Sequence, residues 1–396
     1  MWPRPVFMKR KTPNVSRHIP VALPLLPRAE DILPYLKMVD DARIYSNFGP
    51  LAQELSKRLA EALALNSGDV VMTSSGTSAL MATILALTGG GQVGGKGRYV
   101  ALPSFTFAAS ALAVELCGFT PYFVDVSEDT WCLTPEAVLA LPLQDEIALV
   151  MPVAPFGRAV PQAAWKAYRN LTGIPVVIDA AASFSCIETD PSAYLGDIPT
   201  VFSLHATKGF GIGEGGAVAC SDADLIERIG WTLNFGFAGS RESAMASFNG
   251  KLSEHQAAVG HAALDQWPAK REMLETVAAL YREAFRLTGQ ANRLITYPEV
   301  DGGYCLYLCV DSAESVAVMQ SLGADDIGHR FWYGGGVNSH LHFATAPHTD
   351  MSVSEDLARR LIGLPMFPDL SAASVARVAR AVASAGAYIM QDKADK

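Results

Sequence analysis

Short apolar runs rich in β-branched residues alternate with helical segments through the N-terminal half of the chain. The runs are residues 69–73, 99–102, 121–126, 147–153 and 176–179, and the helical segments beside them include 50–63, 79–88, 107–116 and 162–171. In the first of these helices Leu51, Leu55, Leu59 and Leu63 recur at a spacing of four, and Pro50 suits the first helical position. The alternation predicts an α/β fold with a mostly parallel sheet covered by helices on both faces.

Ligands of such a sheet bind outside the carboxyl ends of its strands. Residues 74–78, the sequence Ser-Ser-Gly-Thr-Ser, follow the first run and lead into a helix. Backbone N–H groups at a helix N-terminus and the helix dipole together favour an anion such as phosphate. The segment is therefore a candidate phosphate cradle, and the alternative is an ordinary helix capped by a serine or threonine side chain.

Residues 201–216, the sequence VFSLHATKGFGIGEGG, combine an apolar lead-in, one lysine and a run of glycines. We expect Lys208 to lie at the end of a buried strand, where desolvation keeps its amine partly neutral and nucleophilic. This environment points to Schiff-base chemistry. The alternative is a surface lysine at a strand end.

Gly211, Gly213 and Gly216 match the G-x-G-x-x-G dinucleotide fingerprint. That fingerprint needs a helix after the glycines, whereas residues 217–220 are short, apolar and better suited to a strand. We therefore interpret the glycines as a tight turn beside a bound group.

Asp179 closes the apolar run 176–179 and is followed by three alanines. A carboxylate there either caps a helix or is a buried anion that needs a cationic partner. The small residues after it leave room for a flat ring.

Composition disfavours several classes of partner. The 31 basic and 40 acidic residues give a net charge of −9, and no lysine or arginine cluster marks a nucleic-acid or anionic-membrane surface. No apolar run reaches the ~18 residues that span a bilayer. The six cysteines lie in apolar contexts without a C-x-x-C pair, so we expect a soluble protein of the reducing cytoplasm. His340 and His342 have no acidic or sulfur partner nearby in the sequence, so no metal site is expected.

The character of the chain changes to helical after about residue 255. We predict an N-terminal arm at 1–23, a large domain at 24–255 and a small C-terminal domain at 256–396. Residues 304–310 alternate as a strand does. The loop 331–336, Phe-Trp-Tyr-Gly-Gly-Gly, either covers a substrate or forms an aromatic corner of the core.

Several segments carry a combined pattern that none of them carries alone. They are SNFGPL at 46–51, SGTSAL at 75–80, PSFTFAAS at 103–110, VVIDAA at 176–181, SLHATKGFGIGEGG at 203–216, FNGKLSEHQAA at 248–258 and LPMFPDLS at 364–371. Together they resemble the DegT/DnrJ/EryC1/StrS family of sugar aminotransferases, over residues 24 to 388. The resemblance implies the cofactor pyridoxal 5'-phosphate (PLP) and the PLP-dependent transferase fold type I of aspartate aminotransferase, with a smaller C-terminal α/β domain.

The resemblance implies roles for individual residues. Lys208 becomes the lysine that holds PLP as an internal aldimine, and Asp179 becomes the partner of the pyridine nitrogen. Phe107 is expected over the ring. The residues expected at the phosphate are Gly76, Thr77, Ser78, Ser203 and, from the other subunit of a homodimer, Asn249.

The resemblance also implies a ping-pong transamination in which Lys208 acts as general base and acid. An amino-acid donor, by family habit L-glutamate, loads the cofactor, and a keto sugar on a nucleotide diphosphate takes the amine. A cyclitol ketone is the alternative acceptor. A sugar dehydratase of this family would have histidine in place of Lys208, and a non-catalytic regulator would need a DNA-binding module, of which no basic helix-turn-helix segment is visible. The residues expected to bind the acceptor are Asn47, Phe48, Gly49, Arg330 and Phe331.

Three positions depart from the family pattern. Ala182 and Ala154 stand where the family usually has hydrogen-bonding side chains near the cofactor. Lys251 replaces the commoner arginine or tyrosine of the N-x-R-x-S segment. These departures bear on the polar contacts of the cofactor and on the acceptor, and leave Lys208 and Asp179 in place.

Overall fold

The computed structural model of the chain describes residues 18–91, 97–187 and 190–394. Residues 1–17, most of the predicted N-terminal arm, lie outside the described residues. The helices are α1 Ala29–Ala42, α2 Pro50–Ala62, α3 Gly76–Thr88, α4 Ala108–Leu116, α5 Pro135–Leu139, α6 Gln162–Thr172, α7 Phe184–Ile187, α8 Pro191–Tyr194, α9 Ala223–Thr232, α10 Glu254–Leu287, α11 Ser312–Ala324, α12 Ser352–Arg360 and α13 Ala372–Ala394. The strands are β1 Val70–Thr73, β2 Tyr99–Pro103, β3 Thr120–Val124, β4 Ile147–Val150, β5 Ile178–Asp179, β6 Thr200–Ser203, β7 Gly216–Ala219, β8 Leu294–Thr296, β9 Cys305–Leu308 and β10 Leu361–Gly363.

The strands β1 to β7 form one large sheet. Hydrogen bonds order them as β1-β7-β6-β5 and as β3-β2-β4, and backbone bonds join the two groups. The N–H of Val150 donates to the carbonyl of Pro175 at 3.0 Å, and the N–H of Asp179 donates to that of Pro152 at 2.9 Å. The continuous order is therefore β1-β7-β6-β5-β4-β2-β3. Within the described part of the sheet β7 is the antiparallel member, and the prediction of a mostly parallel sheet in a type I fold is confirmed.

Side chains alternate across this sheet and bury it on both faces. In β2, Val100 and Leu102 join one apolar cluster, and Tyr99 and Ala101 join the other. Helices α3, α4 and α9 cover the first face, and α2, α6 and α10 cover the second. The two-residue period of each strand therefore separates two cores, as expected of a sheet that lies between two helical layers.

Local sequence signals predicted several elements well. Helix α2 begins at Pro50 and buries its leucine stripe. Helix α3 begins earlier than the predicted segment 79–88, because Ser75 caps it by accepting a hydrogen bond from the Ser78 N–H at 3.0 Å. The glycine run turns at Gly213, where φ is 108°, and leads into strand β7. The rejection of the dinucleotide fingerprint is thus confirmed.

The C-terminal part contains a second, smaller sheet. Its strands follow the antiparallel order β10-β9-β8, and the 34-residue helix α10 reaches it from the large sheet. Arg330 pairs with Gly363 at the edge of this sheet through backbone hydrogen bonds of 3.0 and 2.8 Å. That pairing fixes the start of the segment 330–333. In the described ranges no helix is both long and apolar enough to cross a bilayer.

Candidate active site

A cavity of about 490 Å³ lies beside the carboxyl ends of the strands of the large sheet. The side formed by strand ends and the segments after them, here called the sheet wall, contains Gly76, Thr77, Phe107, Ser110, Asp179, Ser203 and Lys208. A second part of the lining, here called the loop wall, contains Tyr304, Arg330, Trp332 and Tyr333. The strand ends thus gather residues that are far apart in the sequence, as parallel sheets do.

The N-terminus of α3 forms the candidate phosphate cradle. Gly76 and Thr77 line the cavity there, and Ser203 lines it from the end of β6. The Ser78 hydroxyl bonds instead to those of Ser74 and Ser75, at 2.8 and 2.9 Å, so Ser78 supports the cap and is not among the lining residues. Backbone N–H groups at a helix N-terminus, together with nearby hydroxyls, suit a phosphate.

Gly76 is needed because the two parts of the cradle approach closely. A Cβ atom at this position would lie 2.8 Å from the Cβ of Ser203. The Ser203 Cβ is attached directly to the backbone and cannot rotate aside. A larger residue would therefore push the start of α3 away from the end of β6.

Asp179 is a buried carboxylate, 4% exposed, at the end of β5. Ser110 donates a hydrogen bond to its Oδ2 at 2.7 Å, and the Ala181 N–H donates to its Oδ1 at 3.1 Å. Burial raises the pKa of Asp179, and the two hydrogen bonds and the nearby Lys208 amine oppose that rise. A carboxylate in this setting is matched by a cationic atom of a ligand, such as a protonated ring nitrogen.

Lys208 lies on the loop after β6, and not at the end of the strand as predicted. Its Nζ donates a hydrogen bond to the Tyr304 hydroxyl at 3.1 Å. Burial acts against the charge of the amine, but Tyr304 and the carboxylates of Asp179 and Asp301 outweigh it, so the pKa of Lys208 is raised. The expectation of a partly neutral amine considered desolvation alone, whereas Tyr304 and the two carboxylates that the fold brings near act in the opposite direction.

The loop wall presents a cation and aromatic rings. The Arg330 Cζ lies 5.0 Å from the centroid of the Trp332 ring, and Arg330 has no salt-bridge partner in the described part of the chain. Phe331 packs against the core and does not line the cavity. Trp332 and Tyr333 therefore line the cavity, where a ligand could contact them. Phe331, which was expected to bind the acceptor, packs against the core instead.

Some predicted site residues lie elsewhere in the chain. Asn47, Phe48 and Gly49 line a separate cleft of about 680 Å³. Asn249 is exposed, and its backbone pairs with Asn234. Within one chain these residues do not join Lys208, and their expected roles remain predictions.

Ser110 and Tyr304 are among the cavity residues that no sequence pattern singled out. Ser110 lies in the quoted segment 103–110, and its position on the first turns of α4 is a signal that could have paired it with a strand-end carboxylate. Tyr304 gave no local signal, because it follows two glycines and reads as the start of an ordinary strand.

The pair His340 and His342 also differs from expectation. The sequence showed no acidic neighbour, but His342 Nε2 lies 2.7 Å from Glu115 Oε2. Across the described ranges, no three His, Cys, Asp or Glu side chains are grouped to hold a metal ion.

The residues present fit PLP. That group carries a phosphate, a ring nitrogen that takes a proton and an aldehyde that reacts with an amine. The sheet wall offers a helix N-terminus with hydroxyls, a buried carboxylate and a lysine amine. The remaining wall beside Asp179 is small and apolar, which leaves room for a flat ring; it consists of Val153, Ala154, Ala181 and Ala182.

Known proteins resemble the chain over most of its length. The sequence profile of the DegT/DnrJ/EryC1/StrS aminotransferase family matches residues 28–383. The chain is 31% identical to protein Rv3402c of Mycobacterium tuberculosis over 381 residues, which are 93% of this chain and 90% of that one. It is 29% identical to the UDP-N-acetyl-3-dehydro-alpha-D-glucosamine 3-aminotransferase of Acidithiobacillus ferrooxidans over 351 residues, 87% of this chain and 91% of the enzyme. The crystal structure of DesI in the presence of its TDP-sugar product matches with a TM-score of 0.82 at 26% identity, covering 96% of this chain and 97% of DesI.

Proposed function

We propose, on the premise that the chain belongs to the DegT/DnrJ/EryC1/StrS aminotransferase family, that it transfers an amino group from L-glutamate to a keto sugar on a nucleotide diphosphate. The chain is a PLP-dependent aminotransferase. The observation that carries the proposal is the meeting of Lys208, Asp179 and the α3 cradle in one cavity. The substrate class is supported by the similarity to DesI and to the Acidithiobacillus enzyme, whose names include a TDP-sugar and a UDP-sugar.

The sheet wall holds and orients the cofactor in this proposal. PLP, when bound, supplies a ring that withdraws electrons from the reacting carbon of the substrate. Thr77, Ser203 and the α3 N-terminus bind its phosphate. Asp179 accepts a hydrogen bond from the protonated ring nitrogen, and its burial strengthens that pairing because little water competes.

Lys208 moves the proton in both half-reactions. Its Nζ, once deprotonated, takes a proton from the substrate carbon as a general base and returns it as a general acid. Donor and acceptor must both reach this one atom. The donor therefore leaves as its 2-oxo acid before the acceptor enters, which gives the ping-pong order.

The loop wall binds the acceptor. The Arg330 guanidinium has no salt-bridge partner among the described residues, and its fork of N–H donors suits phosphate oxygens. Trp332 beside it offers a ring face to a nucleotide base. Ala154 and Ala182 give a hydroxyl-rich sugar no side-chain hydrogen bond, so a cyclitol ketone is the rival acceptor.

A second copy of the chain completes the site. Phe107 lines the cavity yet is 66% exposed, and Asn249 and the cleft at 47–49 lie outside the cavity of their own chain. A homodimer that brings Asn249 of one copy to the α3 cradle of the other accounts for both features.

If Asn249→Ala alone is impaired, mixing it with Lys208→Ala should restore about a quarter of the wild-type activity, because heterodimers regain one intact site. Full activity in a stable monomer would contradict the shared site.

The activity is tested by single-turnover mixing with glutamate, followed by a panel of acceptors. We expect release of 2-oxoglutarate and then amination of nucleotide-linked keto sugars, with no reaction of free cyclitol ketones. Arg330→Ala should raise the KM for the sugar nucleotide roughly 10- to 100-fold, since a charge-assisted contact is lost. Arg286→Ala, which removes an exposed arginine paired with Glu283 on α10, is the matched control. Amination of the cyclitol alone would defeat the substrate assignment, and no release of 2-oxoglutarate would defeat the donor half-reaction.

A further inference from the structure

Tyr304 is the loop-wall residue that contacts the reactive amine. Its hydroxyl accepts the hydrogen bond from Lys208 Nζ at 3.1 Å. No other described residue is hydrogen-bonded to Nζ. The Tyr304 residue is 7% exposed, and its ring packs edge-on against Phe156 and Trp332, with centroid distances of 5.4 and 5.5 Å. Packing therefore fixes where the hydroxyl lies.

The buried carboxylate of Asp301 contacts both backbone segments that carry the Lys208–Tyr304 pair. Asp301 Oδ2 accepts hydrogen bonds from the N–H and the hydroxyl of Ser185, at 2.9 and 2.7 Å, and its Oδ1 accepts from the Gly303 N–H at 2.9 Å. The Tyr304 N–H donates to the Asp301 carbonyl at 2.9 Å. A Cβ on Gly209, the residue after Lys208, would lie 2.5 Å from Asp301 Oδ1. The loop that carries Lys208 and the turn that carries Tyr304 are thus held against the same carboxylate.

The Asp179 carboxylate and two alanines of the lining offer little competition for this hydrogen bond. The Asp179 carboxylate is already bonded to Ser110 and the Ala181 N–H, and the side chains of Ala154 and Ala182 carry no polar atom. The ring hydroxyl of PLP stands on the carbon next to the one that bears the aldehyde. A hydroxyl within hydrogen-bond reach of the amine is therefore also a candidate partner for that ring oxygen.

We propose that Tyr304 is a further catalytic residue: its hydroxyl holds Nζ of Lys208 in place when the amine is free, and donates a hydrogen bond to the ring hydroxyl oxygen of PLP when the amine is engaged. The second half of this inference rests on the proposed function, and the first half does not. Ala182, which lines the same cavity, carries no polar atom that could serve this ring oxygen.

The test compares Tyr304→Phe with Tyr281→Phe, which removes a buried hydroxyl that donates to Pro365 at 2.6 Å and lies away from the cavity. In the cofactor-free protein, trace acetylation at pH 8 is read by peptide mass spectrometry as the ratio of Lys208 to Lys57 labelling. Tyr304→Phe should raise that ratio about tenfold, because the hydroxyl no longer stabilises the ammonium form. Tyr281→Phe should leave it unchanged. An unchanged ratio in Tyr304→Phe would overturn the inference.

The cofactor-bound protein tests the second half. Tyr304→Phe should raise the dissociation constant of PLP about fivefold, as expected for one lost neutral hydrogen bond, and slow the half-reaction with glutamate while the KM for glutamate stays unchanged. A higher labelling ratio with unaltered PLP affinity and half-reaction rate would overturn the catalytic role. Should Tyr304→Phe fail to fold, Tyr304→Met serves in both measurements. If wild-type protein takes no amine from glutamate, the proposed function fails, and the labelling ratio still decides whether Tyr304 holds the amine.

Discussion

The sheet wall of the cavity is built from strand ends, whereas the loop wall is built from a turn and an irregular segment. Asp179 is fixed between two neighbours: its N–H donates to the Pro152 carbonyl and its carbonyl accepts from the Ala154 N–H, each at 2.9 Å, and on the other side it pairs with Val201 of β6. Arg330 is anchored through its backbone at the edge of the small sheet, where it pairs with Gly363. A strand end in a continuous sheet cannot shift without breaking hydrogen bonds to the neighbouring strands. A loop, by contrast, can change its side chains at little cost to the stability of the fold.

This difference suggests a division of work between the two walls. The groups proposed to serve every turnover, which are the cradle, Asp179 and Lys208, belong to the sheet wall. Groups proposed to select the acceptor, Arg330 and Trp332, belong to the loop wall. Tyr304 is the exception, because it reaches across from the loop wall to Lys208 and is held there by Asp301. Substitutions in the sheet wall should therefore weaken the reaction with all acceptors, and those at Arg330 should change which acceptor is used.

The largest effect is expected at Asp179. Asp179→Ala removes the carboxylate proposed to pair with the ring nitrogen, so kcat should fall roughly 10²- to 10³-fold with every acceptor, as for the loss of one preorganised electrostatic group. PLP should still bind, because the cradle is separate. Steady-state kinetics with several acceptors measure this, and Asp356→Ala, which removes an exposed carboxylate paired with Arg360, is the control. Turnover like that of the wild type, or a loss confined to one acceptor, would break the division between the walls.

A smaller effect is expected from Gly76→Ala. The added Cβ would meet the Ser203 Cβ at 2.8 Å and strain the cradle, and overpacking of this kind costs about 1–3 kcal/mol. We expect the dissociation constant of PLP to rise roughly tenfold, which corresponds to about 1.4 kcal/mol. Gly230→Ala in α9 has no atom within 4 Å of the new Cβ and should bind PLP normally. Equal PLP affinity in both variants would show that the cradle does not bind the phosphate.

The smallest effect is expected at Lys251, which lies beside β1 but outside the cavity. It is 8% exposed, its Nζ has no hydrogen-bond partner among the described residues, and it lies 4.6 Å from the Phe235 ring centroid. Lys251→Met should change the free energy of unfolding at pH 7 by no more than about 1 kcal/mol, in the stabilising direction, because a buried unpaired charge is exchanged for an apolar side chain.

The stability difference between the wild type and Lys251→Met should also depend on pH. Burial lowers the pKa of Lys251 in the folded chain, so the unfolded chain binds the proton more tightly. The wild type should therefore gain stability relative to Lys251→Met as the pH rises from the lowered pKa towards the unfolded value of about 10.4. Urea unfolding at pH 7 and pH 9.5 measures the difference. A loss of more than about 2 kcal/mol at pH 7 would mean that Nζ has a partner, such as an acceptor in a second copy of the chain.

The sequence predicted those parts of the site that depend on local patterns, and it could not predict those that depend on residues remote in the chain. Leu51 and its repeats, the small polar residues at 74–78 and the strand-end position of Asp179 are local signals, and the structure places them as the patterns indicate. The pKa of Lys208 depends on Asp301 and Tyr304, which are remote in the sequence, so it could not be read locally. Phe331 and Trp332 are adjacent aromatics with the same propensity, so tertiary contacts such as the pairing of Arg330 with Gly363 decide which of them faces the cavity. The Asn47 segment gave a site-like pattern, but within one chain it lies in a separate cleft.

The central claim is that Lys208 is the residue that binds PLP covalently, and borohydride reduction tests it most directly. Protein loaded with PLP is reduced, digested and mapped by mass spectrometry. We expect the mass of the reduced cofactor on the peptide that contains Lys208, and no such mass in Lys208→Ala. Lys270 lies behind the same loop, in a small pocket that includes Lys208 and Gly209, and burial lowers its pKa to about 8. A tag on Lys270 or on Lys251 in place of Lys208, or an equal tag in Lys208→Ala, would contradict the claim.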